Sequence, residues 1–425
     1  MDEQQSNEGL LSGYRVLDLA DEKGLLCGKV LGDLGADVIK IERPGGDPAR
    51  NISPFYKDIP GPENSLFWFF TNTSKRSITL NIETADGRHI FKRLVKTAHF
   101  VIESYGPGYM ASLGLGYPEL EKINSAIIMT SITPYGQTDP YAHYKNTDTT
   151  LVAMGGMMRV LGDSDRPPVR ISQPQAFFQG GIHGVLGSVM AHYWRQSTGE
   201  GQHVDVSCQE AVVLSLPAYV ESWDVLKYDA GRGGIYWVRA RAAPPGAVLS
   251  QEVFACKDGF VLAYIQGGAQ AGLVASSRAL TEWANSLGYA LELKDYDWTK
   301  LDLATISQSE LSRVHGILQE FLLTRTKAEL MEKGVEKAII VAPITDAKDV
   351  MESPQFKARE FFIQVAHPEL GATITYPGFP IKTAGLPDKP QRRAPLIGEH
   401  NEEIYVGEIG FSREELARLK AHRVI

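Results

Sequence analysis

The chain has 425 residues, enough for two or three ordinary domains, and 43% of them are hydrophobic against 22% charged. That is the balance of a globular protein with a sizeable core, not of a disordered or fibrous chain. The formal net charge of -8 excludes a dedicated nucleic-acid binder, so an anionic ligand must be held by local basic groups.

Cys27, Cys208 and Cys256 are far apart and suggest neither a disulfide framework nor a metal cluster, which fits a reducing compartment. Residues 1–8 are polar and acidic, without the charged-then-apolar pattern of a signal peptide. No apolar run approaches the ~20 residues that span a bilayer. The expectation is a cytoplasmic protein with neither membrane nor nucleic acid among its partners.

Tyr14 to Ala20 reads as a buried strand, Gly24 to Leu34 as a helix and Val38 to Glu42 as a second strand. This compact βαβ unit predicts a right-handed crossover and a parallel sheet. The glycines at 24, 28, 32 and 35 do not spell G-x-G-x-x-G, which argues against a nicotinamide or flavin site and for close packing of helix on sheet. Ser77 to Asn81 is a further strand, Thr84 to Thr97 an amphipathic helix, and His99 to Glu103 a strand ending in the turn Gly106-Pro107-Gly108. Ala126 to Thr133 continues the alternation, so the fold class is α/β with a mainly parallel sheet.

Gly180 to Tyr193 is a nearly uncharged helix carrying Gly184, Gly187 and Ala191 about one turn apart, the mark of a core or a subunit interface. His183 and His192 lie in it with no Cys or acid at metal-ligand spacing and read as packing or interface residues. From about Ser222 the texture changes. Lys227 to Gly246 reads as a linker or meander, and Gln251 to Ile265 as a hairpin about Lys257-Asp258-Gly259. Gly267-Gly268 fits a mobile loop or a simple turn. Helices at Thr281 to Leu287 and Glu310 to Leu323 complete a smaller α+β domain. Ala338 to Ile344 resumes a strand, and Arg413 to His422 closes with a helix. The domain expectation is 1–222 for the first part of the large domain, 223–335 for the linker and small domain, and 336–425 for the return to the large domain.

One compositional gap stands out. Between Pro167 and Gly199 there is no Asp and no Glu, although the chain holds 51 of them.

The order of several short motifs resembles the class III CoA-transferases, also called the formyl-CoA transferase or carnitine-CoA-transferase-like family. They are Val16-Leu17-Asp18-Leu19, Gly35-Ala36-Asp37-Val38-Ile39-Lys40-Ile41-Glu42-Arg43-Pro44, Lys75-Arg76-Ser77-Ile78-Thr79-Leu80-Asn81 and Glu103-Ser104-Tyr105-Gly106-Pro107-Gly108. Thr198-Gly199-Glu200-Gly201-Gln202-His203-Val204-Asp205-Val206-Ser207 and Ala394-Pro395-Leu396-Ile397-Gly398-Glu399-His400 follow in the family's order. The resemblance covers almost the whole chain. It implies a Rossmann-like large domain built from both chain ends, a small domain from the middle, and two chains threaded into an interlocked dimer.

It also implies a chemistry. A family carboxylate attacks a donor thioester, forms a mixed anhydride and then an enzyme–CoA thioester, and finally returns CoA to an acceptor acid. Aligned on Pro168-Val169-Arg170 and Gly181, that Asp is replaced by Phe177, so the catalytic assignment is none. Asp148, Asp163, Asp165 and Asp205 remain as substitute carboxylates, Asp148 because it matches an acid close to the family's nucleophile. Thr147 stands where family racemases carry His, which argues against racemisation. No cofactor is expected to be bound covalently. CoA or an acyl-CoA is expected as substrate or ligand, with Arg43, Lys75, Ser104, Tyr105 and Lys145 matching family contacts to it. The loop Asp21 to Leu26 is one residue shorter and more acidic than its family counterpart, and Ser112 replaces a family Arg.

The resemblance is greatest to the Asp-lacking subunit of succinyl-CoA:benzylsuccinate CoA-transferase. The expected function is therefore a non-catalytic subunit whose paralogous partner supplies the Asp. The alternatives are an active CoA-thioester enzyme, a transferase or isomerase, that uses another carboxylate, and a CoA-ester binding protein.

Overall fold

A computed structural model describes residues 9–229, 231–237, 248–383 and 392–425. The chain divides into two compact units, one of residues 9–155, 171–215 and 354–425, the other of 156–170 and 216–353.

The first unit is built on six parallel strands, β1 (Arg15–Asp18), β2 (Asp37–Glu42), β3 (Lys75–Thr79), β4 (Phe100–Glu103), β5 (Ile128–Thr133) and β6 (His203–Ser207). Their order is β3-β2-β1-β4-β5-β6. This is the doubly wound arrangement in which strand order reverses between β1 and β4, and ligands of such sheets bind outside the carboxyl ends there. The expected α/β class with a mainly parallel sheet is what the fold shows.

Helices cover both faces because parallel strands must be buried on each side. Strand residues alternate between the two layers. Leu17, Ile39, Ile78, Val101 and Met129 meet Ile90, Phe91 and Leu94 of α3 (Ala85–Val95) and the chain end at Leu419, Val424 and Ile425. The short helices α4 (Tyr109–Ser112) and α5 (Tyr117–Glu121) add Met110 and Leu120 to that layer. On the other face lies α1 (Leu25–Asp33), preceding the six-residue α2 (Leu66–Thr71) in the chain. Two further helices, α6 (Asp148–Met154) and the 23-residue α7 (Ala176–Thr198), lead into α8 (Cys208–Leu214).

Glycine sets how closely the second layer approaches. A Cβ on Gly28 would lie 2.1 Å from Asp18 Oδ2, and one on Gly184 2.6 Å from Ile132 Cδ1. Gly180 faces Cys208 and Ile132, and Gly187 faces Val204, in the same manner. The expectation of close helix-to-sheet packing holds, and the uncharged helix extends beyond the expected 180–193. It stops where Gly199 takes a left-handed φ of +77° and returns its N–H to Arg195 O.

The second unit holds α9 (Tyr219–Leu226) and a two-residue strand pair, β7 (Tyr236–Trp237) with β8 (Ser250–Gln251). Its antiparallel sheet joins β9 (Val253–Cys256), β10 (Gly259–Ala263) and β11 (Val341–Pro343) in the order β11-β10-β9. Helices α10 (Ala271–Ser286), α11 (Gln308–Leu322) and α12 (Lys327–Lys337) pack Trp283, Val314, Leu318, Phe321 and Leu330 against it, and α13 (Ala347–Glu352) follows. The hairpin at Asp258-Gly259 is as expected. The strand expected at 338–344 is present and pairs antiparallel with β10, although 336–425 was expected to return to the large domain. Residues 336–353 therefore fold with the second unit. Gly267 and Gly268 donate to Leu301 O and Trp298 O, as a fixed turn does. Part of the segment 227–246 lies outside the described residues.

The chain re-enters the first unit at α14 (Pro354–Ala358), followed by a hairpin of β12 (Phe362–His367) and β13 (Ala372–Pro377) and by α15 (Arg413–Ala421). No helix among the described residues is long and apolar enough to cross a membrane.

The glycine contact makes a sharp prediction. Gly28→Ala places a methyl group on the Asp18 carboxylate and should lower stability by about 3 kcal/mol. Gly272→Ala, at a helical position with open space around it, should be neutral or stabilising by up to about 1 kcal/mol. Urea unfolding of both variants checks this, and equal midpoints would contradict the packing argument.

Candidate functional site

The carboxyl ends of β1 and β4 bound the crevice expected of this topology. Two loops meet there and are bonded to each other. The Ser104 hydroxyl donates to Asp21 Oδ1 at 2.7 Å and accepts the Asp21 N–H at 2.9 Å. Asp21 also accepts the Lys23 N–H at 3.2 Å and pairs with the Lys23 ammonium. Burial and the neighbouring Asp21 push the Glu22 carboxyl above its ordinary range. The acidic loop before α1 is thus tied to the loop after β4 through Asp21 and Ser104.

The candidate nucleophile position lies at the first turn of α7. This helix runs antiparallel to the strands. Its far end is fixed by Arg195, which donates at 2.8 Å to both His99 O and Ala126 O. Its first turn therefore falls at the carboxyl edge of the sheet. Phe177 is there and is 9% exposed. Phe178 is half-buried beside it, its ring 6.3 Å from Phe67 and 6.0 Å from Phe70. The aromatic contacts belong to Phe178, while Phe177 itself is buried and has no nucleophilic atom.

The carboxylate nearest this turn is Asp148, and it is already engaged. Asp148 Oδ1 accepts the Gln175 N–H at 2.9 Å and the Phe177 N–H at 3.2 Å, while Oδ2 accepts the Gln175 N–H at 3.1 Å. Free N–H groups at a helix start favour such an anion, so Asp148 acts as the cap of α7. Thr147 caps α6, the helix that carries Asp148, in a reciprocal arrangement with Thr150. Asp205 accepts the Gln137 N–H at 3.0 Å. Asp163 and Asp165 belong to the second unit. The two histidines of α7 pack as expected. His183 bonds Gln179 O, and His192 stacks edge-on to Tyr14 and Phe100. No group of three metal-binding side chains is present among the described residues.

The five residues matched to CoA contacts differ sharply in accessibility. Lys75 is fully buried, with its ammonium 2.8 Å from Asp18 and donating at 2.9 Å to both Leu25 O and Asn72 Oδ1. Burial draws its pKa below the lysine range against the pull of Asp18. The expectation that it lies beside a nucleotide does not match this position, because all three ammonium bonds are spent inside the fold. Ser104 is 1% exposed and committed to Asp21. Tyr105 is half-buried against Tyr109 at 4.7 Å, and burial raises its hydroxyl pKa. Arg43 is exposed. It donates to Glu83 at 3.0 Å and to the Tyr109 hydroxyl at 3.3 Å. An exposed pair of this kind contributes about 1 kcal/mol or less, so a phosphate can displace it. Lys145 is exposed and has no ion pair among the described residues.

Sequence reasoning passed over Glu103, the last residue of β4. It is 3% exposed and accepts the Tyr105 N–H at 2.7 Å. Burial pushes its pKa up to about 7, against the opposing hydrogen bond from Ser131. Ser131 in turn bonds His203 at 2.9 Å, so a polar chain crosses three strands. The signal was an acidic residue closing an apolar strand just before a Ser-Tyr-Gly turn.

Two outcomes follow from this geometry. Asp148→Ala should destabilise the fold by about 1–2 kcal/mol through loss of the α7 cap, and Asp148→Asn by less, as read by thermal unfolding. A neutral Asp148→Ala would contradict the capping role. Glu103 binds its proton more tightly in the folded state than when unfolded. It therefore favours folding at low pH and loses that contribution as pH rises from about 4.5 through about 7. Glu103→Gln should remove about 2–3 kcal/mol of the stability decline between pH 5 and pH 8. Parallel unfolding curves for Glu103→Gln and the natural chain across that range would contradict the assignment.

Comparison with known proteins agrees with this architecture. The family described as CoA-transferase family III matches residues 11–401. The succinyl-CoA:(R)-benzylsuccinate CoA-transferase subunit BbsE of Thauera aromatica is 34% identical over 410 residues, covering 96% of each chain. A formyl-CoA:oxalate CoA-transferase of Streptomyces avermitilis is 32% identical over 424 residues, covering 98% of this chain and 99% of that one. Among solved structures, a CAIB/BAIF family protein from Brucella suis superposes with a TM-score of 0.79 at 27% identity, over 94% of this chain and 99% of that chain. With a six-stranded doubly wound sheet and a family match across nearly its full length, the chain belongs to CoA-transferase family III.

Proposed function

We propose that this chain is the non-catalytic subunit of a heteromeric class III CoA-transferase, moving CoA between succinyl-CoA and an aromatic dicarboxylic acid such as benzylsuccinate. The observation that carries the reading is Phe177, a buried apolar side chain where the resemblance puts the nucleophilic carboxylate, while Asp148 is bonded to the helix start. A paralogous subunit supplies the nucleophile. The relative from Thauera aromatica is itself named as a subunit, which supports this division of labour.

A second observation supports a partner. The outer face of α7 exposes Ile182, Leu186, Val189, Met190, Tyr193 and Trp194, with Tyr193 at 79%. A contiguous apolar stripe of this size belongs at a protein–protein contact. In an interlocked pair of unlike chains, it is the surface that the partner covers. CoA binding draws on Arg43 and Lys145, whose charges are accessible, and the site of action is the cytoplasm.

The purified chain alone should transfer no CoA. Co-expression with a paralogue carrying Asp at the position of Phe177 should give an equimolar complex with transferase activity. Phe177→Asp in the isolated chain should stay at least ~100-fold below that complex, because a misplacement of about 1 Å costs that much. A hydroxylamine-trappable acyl group on this chain without a partner would refute the reading.

A further inference from the structure

Residues 134–147 leave the carboxyl end of β5 and lead directly into α6. Three tyrosines of this segment are gathered into one cluster. The Tyr135 ring lies 6.1 Å from Tyr141 and 6.4 Å from Tyr144, with interplanar angles of 69° and 80°. Tyr141 and Tyr144 lie 4.9 Å apart at 36°. Tyr135 thus meets both other rings edge-on, a favoured aromatic geometry, while Tyr141 and Tyr144 lie tilted against each other.

The cluster is anchored from below and open above. The Tyr135 hydroxyl donates to Met154 Sδ at 3.4 Å, Ala142 is 5% exposed, and the Gln137 N–H is held by Asp205. Tyr141 and Tyr144 are nevertheless 44% and 55% exposed. The next residue is Lys145, the accessible cation without an ion pair among the described residues. Exposed rings and an exposed lysine one residue further along the chain combine two recognition elements, a stacking face and a positive charge.

We propose that Tyr135, Tyr141 and Tyr144 form an aromatic platform which, with Lys145 at its edge, receives a planar ring carrying an anionic group. The inference rests on the reading of the chain as a CoA-transferase subunit and adds a ring-selective subsite to it. Two ligands of that reaction carry this chemistry, the phosphorylated adenosine of CoA and the aryl group of an aromatic dicarboxylate. Tyr135 supports the two exposed rings, Tyr141 and Tyr144 provide the contact surface, and Lys145 meets the anion.

Calorimetric titration of the full chain tests this with two pairs of probes, benzylsuccinate against succinate and CoA against 4′-phosphopantetheine. The natural chain should bind the ringed member of one pair at least tenfold more tightly than its ringless counterpart. The pair that discriminates identifies the source of the ring. Tyr141→Ala/Tyr144→Ala should abolish that preference, a loss of about tenfold to a hundredfold for the ringed probe. Tyr141→Phe/Tyr144→Phe should keep it. Lys145→Gln should weaken ringed and ringless anions alike. If the double alanine variant fails to fold, Tyr144→Ala, at the more exposed ring, carries the same test. Equal binding within both pairs by the natural chain would overturn the platform, as would a ring preference that survives the alanine substitutions. A chain without ring preference that still assembles into an active complex overturns the platform alone and leaves the subunit reading standing.

Discussion

The close seating of α1 and α7 on the parallel sheet governs the rest of the structure. Side chains are missing where these helices touch the strands, at Gly28, Gly180, Gly184 and Gly187. The backbone therefore lies almost directly on Asp18, Ile132 and Val204. A helix held this near cannot slide or rotate without a clash, since cores of native density do not deform continuously. Its position is reinforced by the hydrogen bond between Thr130 and Ser188 at 2.7 Å and by Arg195 at the far end. Two consequences follow from one contact. The first turn of α7 is delivered to the carboxyl edge, and its bulky apolar residues are turned outward.

The same seating determines how charge is distributed at that edge. Asp18 and Lys75 are sealed beneath α1, each with no exposed side-chain surface. Nearby, Arg50 is held bidentate by Glu42 at 2.7 and 2.8 Å and lies 3.8 Å above the Trp68 ring. Groups buried this way stabilise the fold only as complete pairs, because a charge left alone in the interior is severely penalised. They are unavailable to a ligand. Arg43 and Lys145, on loops at the rim, keep their charges in reach of solvent. The chemical character of the edge thus comes from a few exposed groups set around a closed interior.

Much of the fold was legible because parallel strands and their crossover helices carry strong local signals. The strands at 15–18, 100–103 and 128–133 fall inside the runs expected for them, the strand at 37–42 begins one residue before its expected start, and α3 lies within its amphipathic period. The helix at Leu66–Thr71 was not legible, since six nearly all-apolar residues have no periodicity to read. The hairpin of β12 and β13 was missed although Phe362 to His367 alternates between buried and exposed positions. The strand at Val341–Pro343 lies inside its expected range but was grouped with the large domain, because three residues carry no information about their partner.

At the site, sequence alone determined what chemistry is missing. A run from Pro167 to Gly199 without Asp or Glu cannot supply a carboxylate nucleophile from α7, whatever the fold does. The order of the motifs likewise established the family resemblance. Only tertiary structure decided which candidate groups are free to act. Lys75 and Lys145 are the same residue type in matched motifs, yet one ends against Asp18 in the core and the other in solvent. Asp148 was one carboxylate among several until the fold brought it to the N–H groups of Gln175 and Phe177. Local sequence fixes residue type and helical or extended preference, but burial and partner choice depend on segments far apart in the chain that meet only when the sheet closes.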